Sequence, residues 1–315
     1  MKRSILTAIM MALALGVGAG RSQAQASGDL LQLLPDGNAV IVVDVPKVIA
    51  SSAWTSLNSQ DNRFKSIVDK VMADVSELGV KLADINSAAL VFQSSGWSNP
   101  TVAARGTFNQ TELLDRLRAN TKVKLVSEKY SEYEIHSVTR DQTGAGSAAI
   151  TFVFYDSGTV VVGTASGVRA SIDAKTGTKS SVAKNAGLAS GIAETPISPI
   201  RFAMTKIPGL TDRPPAGDLP LPDFSTIKLI FGSLELATGL NLNATLRNDT
   251  SEQAKALAER LNAIVGIGKV YLKGSADPKM AALGNALNTI AITGSNADVK
   301  ITGDLPPEVL ALIFR

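Results

Sequence analysis

Short runs of valine, isoleucine, leucine and alanine, each closed by Gly, Pro, Asn, Asp or Ser, alternate here with segments whose apolar residues recur every three or four positions. Runs too short for a helix and bounded by turn residues read as strands, and the longer spacing reads as one helix face. This alternation restricts the chain more than any other feature. Residues 39–45, ahead of Pro46, form the first run; being nearly all apolar, they are expected to be buried on both faces. Residues 61–78 give the clearest helix, with Phe64, Ile67, Val68, Val71, Met72, Val75 and Leu78 on one face, Asp61 as the cap and Gly79 as the stop.

Strands follow at 87–92 and 101–108, then a helix at 110–119 with Leu113, Leu114 and Leu117 inward. Two hairpins pair 123–127 with 133–138 and 150–155 with 159–163, and a helix at 165–174 closes the half. Beyond it come a strand at 200–205, a strand pair at 226–236 and 240–247, and a helix turning Ala254, Leu257, Ala258, Leu261, Ile264 and Val265 inward. Residues 102–108 resemble 242–248, each a strand entering a capped helix, and 152–172 resemble 290–313, which implies an internal duplication. The expected class is α+β: two similar halves, each a largely antiparallel sheet with helices packed on one face. The first half spans 27–174 and the second 196–315. Between them, 175–195 is rich in Ser, Lys, Ala and Gly and reads as a linker or marginal helix.

Residues 1–26 read as a secretory signal peptide. Met1, Lys2 and Arg3 precede an apolar run from Ile5 to about Val17, and Ala24-Gln25-Ala26 gives a small-residue exit. The run of about 13 residues falls short of the roughly 20 a spanning helix needs. The leader holds Lys2, Arg3 and Arg21 and no acid, so cleavage after Ala26 takes the net charge from +3 to zero, leaving 28 bases against 28 acids. A neutral product has no general attraction to nucleic acid or anionic lipid. The chain has no cysteine, which removes disulfides, a thioether-linked lipid, thiolate metal sites and cysteine nucleophiles. The expectation is an exported protein, periplasmic or extracellular, soluble and not a lipoprotein, with no transmembrane segment after cleavage.

Catalytic signatures are sparse. His136 is the single histidine, which excludes multi-histidine zinc motifs; it reads as an ordinary strand residue. No serine stands in a GxSxG elbow. Ser181-Val182-Ala183-Lys184 and Lys175-Thr176-Gly177 match the SxxK and KTG of penicillin-recognising serine enzymes, but in reversed order and too close together. The glycine pairs Gly144/Gly146 and Gly266/Gly268 lack the rest of a phosphate-binding pattern and read as turns. Neither a metal nor a cofactor is expected. Glu132 and Glu134 are the nearest approach to paired carboxylates, and Asp44, ending a buried strand, reads as a turn cap. Two segments could instead meet a ligand or partner. One carries Trp97 in a polar loop; the other is the irregular stretch 208–222, with Pro214 and Pro215 at its centre.

Leu34-Pro35-Asp36-Gly37-Asn38-Ala39-Val40 leading into Val42-Val43-Asp44-Val45, Ala104-Arg105-Gly106-Thr107-Phe108 before a helix, and Val160-Val161-Val162-Gly163-Thr164 before Val168-Arg169-Ala170-Ser171-Ile172-Asp173 resemble a family of uncharacterised exported bacterial proteins. The likeness extends into 250–261. It implies export and an unknown activity, and it carries no site residues. The leading expectation is therefore a non-enzymatic binding or interaction protein with an envelope or extracellular partner. The alternative is a carboxylate-based hydrolase acting on envelope polymers or glycans.

Overall fold

The computed structural model describes residues 23–59, 80–93, 99–140, 149–205, 224–237, 239–273 and 278–305. The described residues divide into two compact units, one drawn from Met1–Ile49 and Ser66–Ala189, the other from Ala50–Lys65 and Ser190–Arg315.

The first unit is built on seven antiparallel strands in the order β1-β2-β3-β7-β6-β5-β4. These are β1 (Ala39–Asp44), β2 (Ile85–Phe92), β3 (Thr101–Gly106), β4 (Val123–Tyr130), β5 (Tyr133–Arg140), β6 (Ile150–Asp156) and β7 (Thr159–Gly163). In β1, Ala39, Val40, Val42 and Val43 are all buried although they alternate between faces, as the unbroken apolar run requires. At the outer edge, β4 is mostly exposed and carries Lys124, Glu128 and Lys129, charges that discourage further strand pairing. Gly106 closes β3 where a Cβ would collide with the Asp84 carbonyl oxygen, so only glycine fits there.

Helices α1 (Gln23–Leu33) and α2 (Val45–Ile49) flank β1, and α3 (Ser52–Ser59) follows in the second unit. Within α1, Leu30 and Leu31 are buried and Asp29 pairs with Arg105 at 3.1 Å; all lie after Ala26. Helix α4 (Gln110–Ala119) starts where Asn109 Oδ1 accepts from the Glu112 amide at 3.1 Å, and it buries Leu114 and Leu117. Helix α5 (Ala165–Lys175) is capped by Thr164, whose Oγ1 accepts from the Gly167 amide at 3.1 Å. It lies on β6 and β7 and touches α1.

Residues 175–195, read as a linker or marginal helix, are folded against their neighbours. The Val182 amide donates to Leu34 O at 3.0 Å, the Asp36 amide donates to Ser180 O at 3.1 Å, and Val182, Leu188 and Ile192 are buried. This stretch contains a 3-10 turn at Val182–Lys184 and helix α6 (Ala186–Glu194). Small residues hid it from periodicity, because alanine and glycine weigh little in an apolar pattern.

The second unit has five antiparallel strands ordered β11-β12-β10-β9-β8: β8 (Ile200–Met204), β9 (Ile227–Glu235), β10 (Leu240–Asn248), β11 (Ala291–Ser295) and β12 (Asp298–Leu305). Helix α7 (Ser251–Lys273) packs on β10, β11 and β12, and α8 (Pro278–Leu287) packs on α7. Arg247 on β10 ties this unit together. It pairs with Glu194 at 2.8 Å and Asp298 at 3.0 Å, and its guanidinium lies over the Phe231 ring at 5.0 Å. Hydrogen bonding to Arg247 holds the Glu194 carboxyl below its ordinary range. The class is α+β. The helix expected at 61–78 and the end of the repeat match beyond 305 lie outside the described residues.

Candidate functional site

Helix α7 opens with a reciprocal cap. Thr250 Oγ1 accepts from the Gln253 amide, Gln253 Oε1 accepts from the Thr250 amide, both at 3.2 Å. The helix then runs for 23 residues, about 34 Å at 1.5 Å per residue. One stripe faces the sheet: Ala254, Leu257 and Ala258 are buried against Leu246, Ile292 and Val299, with Leu261 and Val265 packed beside them. Asn262 anchors the middle of the helix, its Nδ2 donating to Ile292 O at 3.1 Å. Farther along, Gly268 faces Leu287 of α8 and Leu272 is buried.

The distal half carries a second apolar stripe that stands exposed among the described residues. Ile264 is 39% exposed, Ile267 64%, and Val270 and Tyr271 78% each. At about 100° per residue these four share an arc adjoining the packed one, and Arg260 falls on the same arc. Seven large hydrophobics are exposed among the described residues, and four of them stand here, with Met280 on α8 a fifth. Ile264, expected to point inward, lies at the margin between the two arcs. Gly266 and Gly268, read as a turn, lie inside α7. From residue 260 to 273 the sequence holds Arg260, Lys269 and Lys273 and no acid. Periodicity did carry a sign of this surface: Ala263 to Leu272 is apolar or glycine at every position but Lys269, wider than one buried face needs.

The other candidates resolve differently. Trp97, Pro214 and Pro215 lie outside the described residues. His136 is 1% exposed; its Nδ1 shares a 2.8 Å hydrogen bond with Ser127 Oγ, and its ring stacks near Phe152 at 5.2 Å. Its Nε2 is buried with no hydrogen-bond partner, so no carboxylate orients this ring, and burial pushes its pKa below the ordinary value. A serine beside a histidine therefore lacks the third member of a triad. Ser181 is buried in a bridge to Pro35, whereas the Lys175 ammonium sits over the Tyr155 ring at 4.0 Å and the Tyr133 ring at 5.2 Å. The SxxK and KTG matches therefore form no common site. Desolvation lowers the Lys175 pKa, and burial raises that of Tyr155.

Asp44 does cap a turn: its Oδ1 accepts from the Lys47 amide at 3.2 Å and its carboxylate pairs with Lys47 Nζ at 3.4 Å. Glu134 lies directly across from Lys129 in the β4–β5 register. An open depression of about 430 Å³ beside α4 includes Asp84, Asn109, Glu112 and Arg116. Three of its charged groups are engaged locally, since Arg116 pairs with Glu112 at 2.7 Å and Asp84 Oδ2 accepts from the Lys81 amide at 3.0 Å. Among the described residues no group of three or more acids and histidines could hold a metal, and no helix is long and apolar enough to cross a membrane.

No protein-family model and no curated protein matches this chain. Among solved structures it is similar to TP0453 in crystal form IV, at 10% identity and a TM-score of 0.46, covering 93% of this chain and 99% of that one. Crystal form I of TP0453 aligns at 11% identity and a TM-score of 0.46, covering 92% and 97%. Likeness at this level transfers no residue roles.

Proposed function

We propose that this is an exported binding or interaction protein without a catalytic centre, acting in the periplasm or outside the cell, with the distal half of α7 as its contact surface. The exposed stripe of Ile264, Ile267, Val270 and Tyr271 carries the reading. Leaving such a stripe in water forgoes about 25 cal/mol for each Å² that could be buried, and large contiguous apolar patches mark contact sites. The charged leader and its Ala24-Gln25-Ala26 exit support export. Nothing favours the hydrolase reading: Asp44 and Glu134 are engaged by Lys47 and faced by Lys129.

Two measurements test this. Amino-terminal sequencing of protein recovered from the periplasm or medium should begin at Ser27; a full-length chain retained in the cytoplasm would overturn export. Hydrogen exchange of the protein mixed with an envelope fraction should slow across 263–272 relative to buffer. Slowing confined to other segments would remove α7 as the contact surface.

A further inference from the structure

We infer that the distal half of α7 docks on an anionic lipid surface, lying in the headgroup region with Ile264, Ile267, Val270 and Tyr271 toward the acyl chains. This rests on the reading of α7 as a contact surface and names its partner. Three observations favour lipid over a second copy of the chain. First, the four exposed side chains offer on the order of 500 Å², whereas a stable protein interface takes about 800 Å² from each partner. A bilayer needs no matching area, because a helix lying in the interface buries its apolar arc in hydrocarbon that adapts to it.

Second, Arg260, Lys269 and Lys273 stand without an acid among them, so a two-fold pairing of this stretch would bring like charges together. Arg260 and Lys269 sit within about a Debye length of an anionic surface, roughly 10 Å, given a helix about 10–12 Å across. Each such base adds about a tenfold-or-less gain in surface attraction. The neutral total charge conceals this, because the acids that balance these bases lie elsewhere in the sequence. Third, Tyr271 is an aromatic residue of the kind that settles at a membrane–water boundary, where its ring is apolar and its hydroxyl stays hydrated. The contact is interfacial and not spanning: α7 breaks its apolar character with Glu252, Lys255, Glu259 and Arg260 in its first half.

Because the chain has no cysteine, Val270→Cys provides a unique attachment point for an environment-sensitive fluorophore. The labelled full protein is mixed with phosphatidylglycerol–phosphatidylcholine vesicles, and separately with pure phosphatidylcholine vesicles. Emission should shift to the blue with the anionic vesicles and much less with the neutral ones, and added salt should reverse part of the shift. Co-sedimentation of the unlabelled protein should weaken by at least about tenfold in Ile267→Ser combined with Val270→Ser. Arg260→Gln combined with Lys269→Gln should weaken it by at least about tenfold at low salt, two bases at about 1 kcal/mol each. Both pairs should keep the parent's melting temperature, since Arg260, Ile267 and Val270 are exposed and Lys269 is half-buried outside the core cluster.

Absence of sedimentation with anionic vesicles overturns the inference, as does binding indifferent to the Ile267/Val270 pair. A blue shift that grows with protein concentration in the absence of vesicles, with a doubled mass in light scattering, would assign the surface to a second copy. If the Ile267/Val270 substitutions leave vesicle binding unchanged yet abolish the envelope-dependent exchange protection, lipid is excluded while the contact surface stands. If it alters neither, both readings fall.

Discussion

Ser131 and Asn296 turn two hairpins in the same way and are not equally suited to it. Tyr130 pairs with Tyr133 and Ser295 with Asp298, so each turn has two residues, and the first of each is left-handed, with φ 54° at Ser131 and 52° at Asn296. Asparagine tolerates that conformation better than serine does. Ser131→Asn should therefore raise stability by about 0.5 kcal/mol, seen as a higher thermal midpoint. No shift or a lower midpoint would contradict the turn assignment. His136 makes a prediction with a definite sign. Burial holds its folded pKa below its unfolded value, so the unfolded chain takes up the proton first and stability falls with acidity. The loss should begin near pH 6.5 and continue through the lower folded pKa. Urea midpoints measured against pH should show this fall, and His136→Phe should lack it; equal slopes in the two proteins would refute it.

At the scale of elements, α7 contains two helices' worth of behaviour. Leu257 is 3% exposed in the core, so Leu257→Ala should cost about 2–4 kcal/mol in denaturant unfolding. Val270→Ser, one helix end away, should stay within about 0.5 kcal/mol of the parent. A comparable loss from both would mean that the distal stripe is packed. The strands were legible in the sequence because valine- and isoleucine-rich runs end at unmistakable turns, as at Asp156-Ser157-Gly158 between β6 and β7. The length of α7 was not. Gly266 and Gly268 resemble a stop, each costing about 1 kcal/mol against alanine in a helix, yet the helix continues to Lys273 because Gly268 lets Leu287 of α8 approach. Residues 175–195 were only marginally legible as helix for a related reason: part of their order comes from backbone bonds to Leu34 and Asp36, which leave no pattern in side-chain type. The contact stripe was half legible. Its apolar character is plain from the sequence, whereas which arc the sheet covers is decided by Leu246, Ile292 and Val299, far along the chain.

For the molecule as a whole, a neutral sum hides an uneven distribution of charge and of apolar surface. In the second unit, Glu194 and Asp298 are drawn into pairs with Arg247. The distal half of α7 is where exposed apolar surface and a run of sequence with bases and no acid coincide. That coincidence is the central claim, and thiol chemistry tests it most directly. Ile267→Cys and Lys300→Cys, each the sole cysteine of its chain, are exposed to a membrane-impermeant maleimide in cells that export the protein. Both positions are exposed in the isolated protein, so both should react rapidly once purified. In the cell, the thiol at position 267 should react several-fold more slowly than the one at 300. Equal and rapid labelling of both would show that α7 stands bare in water where the protein works, and would contradict the account.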